Sequence, residues 1–263
     1  MRVNAQLIDA TTGNHLWAER FDKPLTELFD MQDEIVARLA GQLGTQLISA
    51  EARRAERSPT PDSLDLYFQG MACLAKGMTP EYLSLANGYF ERALTLDPGN
   101  IEALVWKAYL DAQKASLYTT DDRVAELAAA EAALTRALSL APEHAAAHAA
   151  LGLVQVQTKR VVQGIAEYER ALALDRNLAR AHSAIGMAKF TIGRAEETEA
   201  HVQEALRLSP RDTFAYLWMG VAGSAKLLLG SDDEAVTRFR RALEAQPKLS
   251  NRAFISRSRV GAS

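Results

Sequence analysis

The chain has 263 residues, 30 Lys and Arg against 33 Asp and Glu, and a formal charge of −3; 48% of it is hydrophobic and 24% charged. That balance describes a globular chain with no electrostatic pull toward nucleic acid or anionic lipid. The one cysteine, Cys73, excludes an internal disulfide framework and a four-cysteine zinc site, and no apolar run approaches the roughly 20 residues of a membrane span.

The start of the chain is too polar for a secretory leader, so the expected compartment is the cytoplasm. Val3, Ala5 and Leu7 alternate as on one face of a strand, Thr11 to Asn14 read as a turn, and His15 to Phe21 carry a second strand with Leu16, Trp17 and Phe21. Such a hairpin is marginal alone and needs a packing partner. From Leu25 to about Glu56 there is no proline, and Leu28, Ile35, Leu39, Leu43 and Leu47 recur at helical spacing. Gly41 and Gly44 weaken that helix by roughly 1 kcal/mol each relative to alanine. Ser58 to Asp62, with two prolines, break the chain, and Asp62 or Ser63 is set to cap the next helix.

Beyond residue 62 the sequence repeats itself. Tyr89 to Pro98, Tyr168 to Asp175 and Phe239 to Pro247 read in parallel, and Leu134 to Pro142 and Val202 to Pro210 fit with smaller residues. Each stretch follows a small residue on a partner helix, namely Gly70, Ala108, Gly152, Gly186 and Gly220, and the last three are spaced by 34 residues. Period and residues resemble the tetratricopeptide repeat, a helix–turn–helix unit. The resemblance implies an all-α fold, a right-handed tetratricopeptide-repeat superhelix of about five helix pairs with a small N-terminal β-hairpin and helix before it. The units are expected at 63–100, 101–144, 145–178, 179–212 and 213–249, after a segment 1–57 and a linker 58–62. In the last unit Gly220 takes the small position and three extra residues fall between its helices. Residues 250–263 are read either as a stunted capping helix, with Phe254 and Ile255 over the exposed end, or as a frayed tail.

No catalytic constellation emerges, so no catalytic residue, cofactor or metal is assigned. His144 and His148 are four apart, as zinc ligands on one helix face would be, but His148 and His182 are 34 apart and share a repeat position that calls for a bulky packing residue. Cys73 has no neighbouring base and reads as a small core residue. Gly220 to Lys226 lacks phosphate-loop spacing. The cluster Glu51 to Arg57 reads as a solvated helix end rather than a phosphate site. Leu66 to Gly70 match the core of a common tag-protease site, yet Gly70 is where the first unit needs its small residue.

The segments Arg2 to Asp22 and Leu28 to Ile35 resemble the C-terminal half of the TolB amino-terminal-like α/β domain. In bacteria that domain precedes tetratricopeptide repeats in class III adenylate or guanylate cyclase-type signalling proteins and in some winged-helix regulators. The catalytic domain of such proteins lies upstream, so the chain resembles their sensor or scaffold half, beginning mid-domain. The resemblance implies a non-enzymatic scaffold for signal transduction, with a peptide or protein segment held in a concave groove. The family's groove positions fall on Tyr67, Met71, Tyr109, Leu153, Val156, Arg180, Met187, Phe190, Phe214 and Leu217, with Val105 a further inner position. Aromatics, methionine and one arginine suit an apolar ligand. The lysine and asparagine set with which chaperone-binding repeats hold a carboxylate is missing at these positions. Neither nucleic acid nor membrane is an expected partner. Two other readings stand beside this one: an oligomerisation module pairing through the hairpin or the last repeat, and a cyclase fragment without its catalytic domain.

Overall fold

The structure is a computed structural model, and it describes residues 2–8, 13–22, 24, 32, 35–36, 46–77, 79–116, 122–210, 212 and 214–245. The chain divides into two compact units, Met1–Lys107 and Ala108–Ser263.

The first unit opens with strands β1 (Arg2–Ile8) and β2 (His15–Asp22), paired antiparallel with Val3 opposite Phe21 and a register shift between Leu7 and Ile8. Alternation places Arg2, Asn4 and Gln6 in solvent and leaves Val3 and Ala5 half-buried. Gly13 takes φ +71°, which favours glycine. Of the long helix expected over 25–56, residues 32, 35, 36 and 46–56 are described and all are helical; the segment 46–56 is α1. Leu28, Leu39, Gly41, Leu43 and Gly44 lie outside the described residues.

Helices α2 (Ser63–Lys76) and α3 (Pro80–Leu96) form the first helix pair, and α4 (Ile101–Ser116) follows, with the division between units falling inside it. Asp62 caps α2: its side chain accepts from the Asp65 backbone, and the Asp65 carboxylate accepts from the Asp62 N–H, a reciprocal box. Arg54 reaches over the 58–62 stretch to the nearly buried Asp65 at 2.8 Å. The arginine cluster at the end of α1 therefore contains a structural clamp rather than only a solvated terminus. Ser63 Oγ donates to the Ala93 carbonyl at 2.9 Å, and Asn100 Nδ2 donates to Ser63 Oγ at 2.8 Å, tying both ends of the pair to the start of α4. Leu66, Ala93 and Ala103 form a core there.

The second unit contains α5 (Arg123–Leu140), α6 (Ala145–Gln157), α7 (Val161–Leu174), α8 (Ala179–Thr191), α9 (Thr198–Leu208, after a 3-10 turn Ala195–Glu197), α10 (Ala215–Leu228) and α11 (Asp232–Ala245). Pairs α6–α7, α8–α9 and α10–α11 are each closed by a small residue under a large one. A Cβ on Gly152 would meet Tyr168 at 3.0 Å, and a Cβ on Gly186 would meet Val202 at 3.5 Å. In the last pair the small residue is Gly223, whose Cβ would meet Phe239 at 2.8 Å, while a Cβ on Gly220 would meet nothing within 4 Å. The assignment of Gly220 is corrected: the three extra residues precede Gly223, and the spacing from small to large residue is 16 in all three pairs. Two cores follow. Ile165, Tyr168, Ala181, Ile185 and Ala188 pack α7 against α8, and Val202, Ala205, Ala215, Trp218 and Ala222 pack α9 against α10. Residues 250–263 lie outside the described residues.

Candidate functional site

In the first unit Tyr67 is half-buried. Its hydroxyl donates to Glu102 and accepts from Trp106, and its ring lies 5.1 Å from Phe68 and 6.2 Å from Phe90. Burial first, and then the Glu102 carboxylate, push this phenol far above its usual range. Met71 is half-buried in the same helix. Gly70 is packed against Phe90, so the protease-like string is a helix turn with Leu66 and Gly70 buried.

In the second unit Arg180 is the centre of a polar cluster. Its Nε donates to Asp212 Oδ2 at 3.2 Å, its guanidinium lies 5.1 Å from the Phe214 ring centre, and it hydrogen-bonds Tyr109. Tyr109 also accepts from Gln113 at 2.7 Å. Burial opposes the arginine's charge, and Tyr109 and Asp212 outweigh it, raising its pKa. Asp212 also shapes the start of α10, because its Oδ1 accepts from the Phe214 N–H at 2.8 Å. Sequence reasoning missed these partners of Arg180, since Asp212 lies 32 residues away in a turn.

The remaining positions separate into packed and open. Val105 is buried. Leu153 and Val156 pack on the α7–α8 core, and Val156 Cγ2 occupies the space a Cβ on Gly164 would need. Phe214 lies against the α9–α10 core, ahead of the helix, where the corrected register also puts it. Phe190 is half-buried. Met187 and Leu217 are open, each 43% exposed, and Arg180 remains 44% exposed at its side chain despite its partners.

Two neighbouring histidines, His144 and His148, are occupied. His144 caps α6 by accepting from the Ala147 N–H at 3.1 Å. His148 is buried, with Nδ1 2.6 Å from Glu167 Oε2 and Nε2 2.9 Å from the Pro142 carbonyl. Both ring nitrogens therefore have a partner. His148 and Glu167 border a cleft of about 570 Å³ with Leu138, Pro142 and Arg170. Among the described residues no group of three His, Cys, Asp or Glu is placed to hold a metal ion. Cys73 is buried, and burial raises its thiol pKa. No helix among the described residues is long and apolar enough to cross a membrane.

No protein-family model matches the sequence. A curated protein of Rhizobium meliloti (strain 1021) named "Putative adenylate cyclase 3" is 35% identical over 101 residues, which cover 38% of this chain and 17% of that protein. Among solved structures, the thermophilic tetratricopeptide-repeat protein TTC0263 of Thermus thermophilus superposes with a TM-score of 0.57 at 21% identity, over 75% of this chain and 99% of that one. MamA 41-end from Desulfovibrio magneticus RS-1 gives 0.49 at 19% identity, over 71% and 97% of the two chains. The helix pairs, their glycine closures and the likeness to TTC0263 place the chain in the tetratricopeptide-repeat fold.

Proposed function

We propose that the chain is a non-catalytic scaffold that holds a peptide or protein segment against the first helices of its repeats. Five units over 63–249 form the array in this reading, and the chain serves as the regulatory or sensor part of a bacterial signalling protein related to adenylate cyclases. The observation that carries the proposal is the state of α8 and α10. Their Met187 and Leu217 stay open to solvent and Arg180 stays half-exposed, while Leu153 and Val156 on α6 are taken up by packing. Open apolar side chains together with a held guanidinium suit a mostly apolar segment that carries a hydrogen-bonding group. The cyclase relation is supported by the partial match to the Rhizobium meliloti protein, and the whole of that protein's activity is not carried over.

A peptide array probed with the purified chain and with Met187→Lys and Leu217→Lys tests the reading. Both side chains are exposed, so the variants keep their helix content by circular dichroism. Peptides that bind the parent and lose about tenfold in affinity to either variant support the reading, since burying one such side chain is worth about 1.5–3 kcal/mol. Binding unchanged by both removes α8 and α10 from the site. Turnover of ATP with Mn²⁺ that follows the chain through successive purification steps would overturn the non-catalytic part.

A second reading rests on the hairpin. The β1–β2 sheet has two strands among the described residues, and each strand presents an edge that another copy's strand would fit. Light scattering over a concentration series distinguishes it: a mass that stays that of one chain argues against self-pairing.

A further inference from the structure

One position pair in the repeats changes its chemistry between neighbouring units. In α6–α7 it is His148 with Glu167; 34 residues later, in α8–α9, it is His182 with His201. The first pair makes a 2.6 Å contact from Nδ1 to a carboxylate. The second brings two imidazole rings together, with centroids 6.1 Å apart and planes tilted by 37°. His182 Nε2 lies 3.3 Å from the Arg176 carbonyl, to which it donates. Its Nδ1 is buried with no hydrogen-bond partner, so the ring offers His201 no compensating contact on that side.

The charged groups around the pair are of both signs. From α8, Lys189 adds a positive charge. From the 3-10 turn, Glu197 is engaged by Lys189 and Arg194. On α9 itself, Glu204 is held by Arg207 at 2.7 Å and also acts on His182 as a neighbouring negative charge. From α7, Glu169 acts on His201 only as a neighbouring charge.

We infer that the α8–α9 pair is the acid-labile element of the second unit: proton uptake at His201, beside the His182 ring, loosens it, while the equivalent α6–α7 pair, with Glu167 in the second place, stays closed. The loosening follows from a charge placed in a partly buried site beside Lys189 and a second imidazole. The direction of the His201 titration agrees. Burial, then Lys189 and His182, hold its pKa below the ordinary histidine value, against the smaller pull of Glu197 and Glu169. A histidine whose folded pKa is depressed takes up more protons in the open state. Its contribution to closure is therefore complete above the ordinary value of about 6.5 and is lost as pH falls from there toward the lower folded value. Because α8 carries Met187 and Phe190, ligand grip would fall with the same titration; that consequence alone rests on the groove reading above.

Hydrogen exchange on the whole chain tests the device without any ligand. After correction for intrinsic exchange, peptides of α8 and α9 are expected to open roughly three- to tenfold more at about pH 5.5 than at about pH 7.5, with α6 and α7 unchanged. His201→Glu recreates the neighbouring His–Glu pair and is expected to abolish the difference. His201→Phe keeps a ring and removes the proton site, and is expected to do the same. Equal opening of both helix pairs, or acid opening that survives both substitutions, overturns the inference. Peptide binding that fails at both pH values while the exchange difference persists would discard the groove reading and leave this one standing.

Discussion

At the scale of single residues, two glycines three apart on α10 have opposite consequences. A Cβ at Gly223 would stand 2.8 Å from Phe239, closer than side-chain carbons approach, whereas at Gly220 it would meet nothing within 4 Å. Gly223→Ala must therefore shift a half-buried ring, at an expected cost of about 1–3 kcal/mol. Gly220→Ala gains helix propensity without a clash and is expected to stabilise by about 0.5–1 kcal/mol. Chemical denaturation of both variants checks the pair of values. Equal effects, or a loss at Gly220, would return the small position to Gly220. Gly70 offers the same test in the first unit, because a Cβ there would lie 2.5 Å from Phe90.

At the scale of elements, helices are tied by ion pairs whose spacing also reports the register. Lys189 meets Glu197 within α8–α9, and Lys226 meets Glu234 at 2.7 Å within α10–α11. Both residues of the second pair lie 37 positions after those of the first, as Gly223 lies 37 after Gly186 and Phe239 lies 37 after Val202. The signal for the corrected register was thus in the sequence. It was masked because Gly220 happens to fall 34 after Gly186, and a glycine at the expected period looks sufficient. The repeat, the hairpin and the 16-residue closures were legible because each depends on residue size at fixed spacing. The site was less so. Repeat position says which way a side chain leaves its helix, but Leu153, Val156 and Tyr67 find neighbours through the particular residues of adjoining helices, which no period encodes. One tie gives a pH prediction. Arg160 on the threshold of α7 binds Glu131 of α5 with two hydrogen bonds of 2.8 and 2.6 Å, and that contact, ahead of burial, lowers the Glu131 pKa. A carboxylate with a depressed folded pKa stabilises fully above its unfolded value of about 4.3 and loses that contribution as pH falls through the folded one. A double-mutant cycle on Arg160→Ala and Glu131→Ala is expected to give less than about 1 kcal/mol at neutral pH, since both side chains are partly exposed, and nothing measurable at the acid end. A coupling that persists in acid would assign it to packing.

At the scale of the whole molecule, stability in a repeat array is a sum of units and of contacts between neighbours, so damage should stay near its source. Phe90 is fully buried and fills the space beside Gly70 in the α2–α3 pair. Trp218, 5% exposed, holds the α9–α10 core. Each truncation to alanine removes a large aromatic group from a closed site and is expected to cost about 3–5 kcal/mol locally. Native-state hydrogen exchange should then divide along the two compact units, Met1–Lys107 and Ala108–Ser263. Phe90→Ala should release α2 and α3 and leave α8 to α11 protected, and Trp218→Ala should do the reverse. Loss of protection spread evenly over all helices by either substitution would mean one global transition. Stability would then not be divisible by unit, and a local opening such as the one assigned to α8–α9 would have no independent existence.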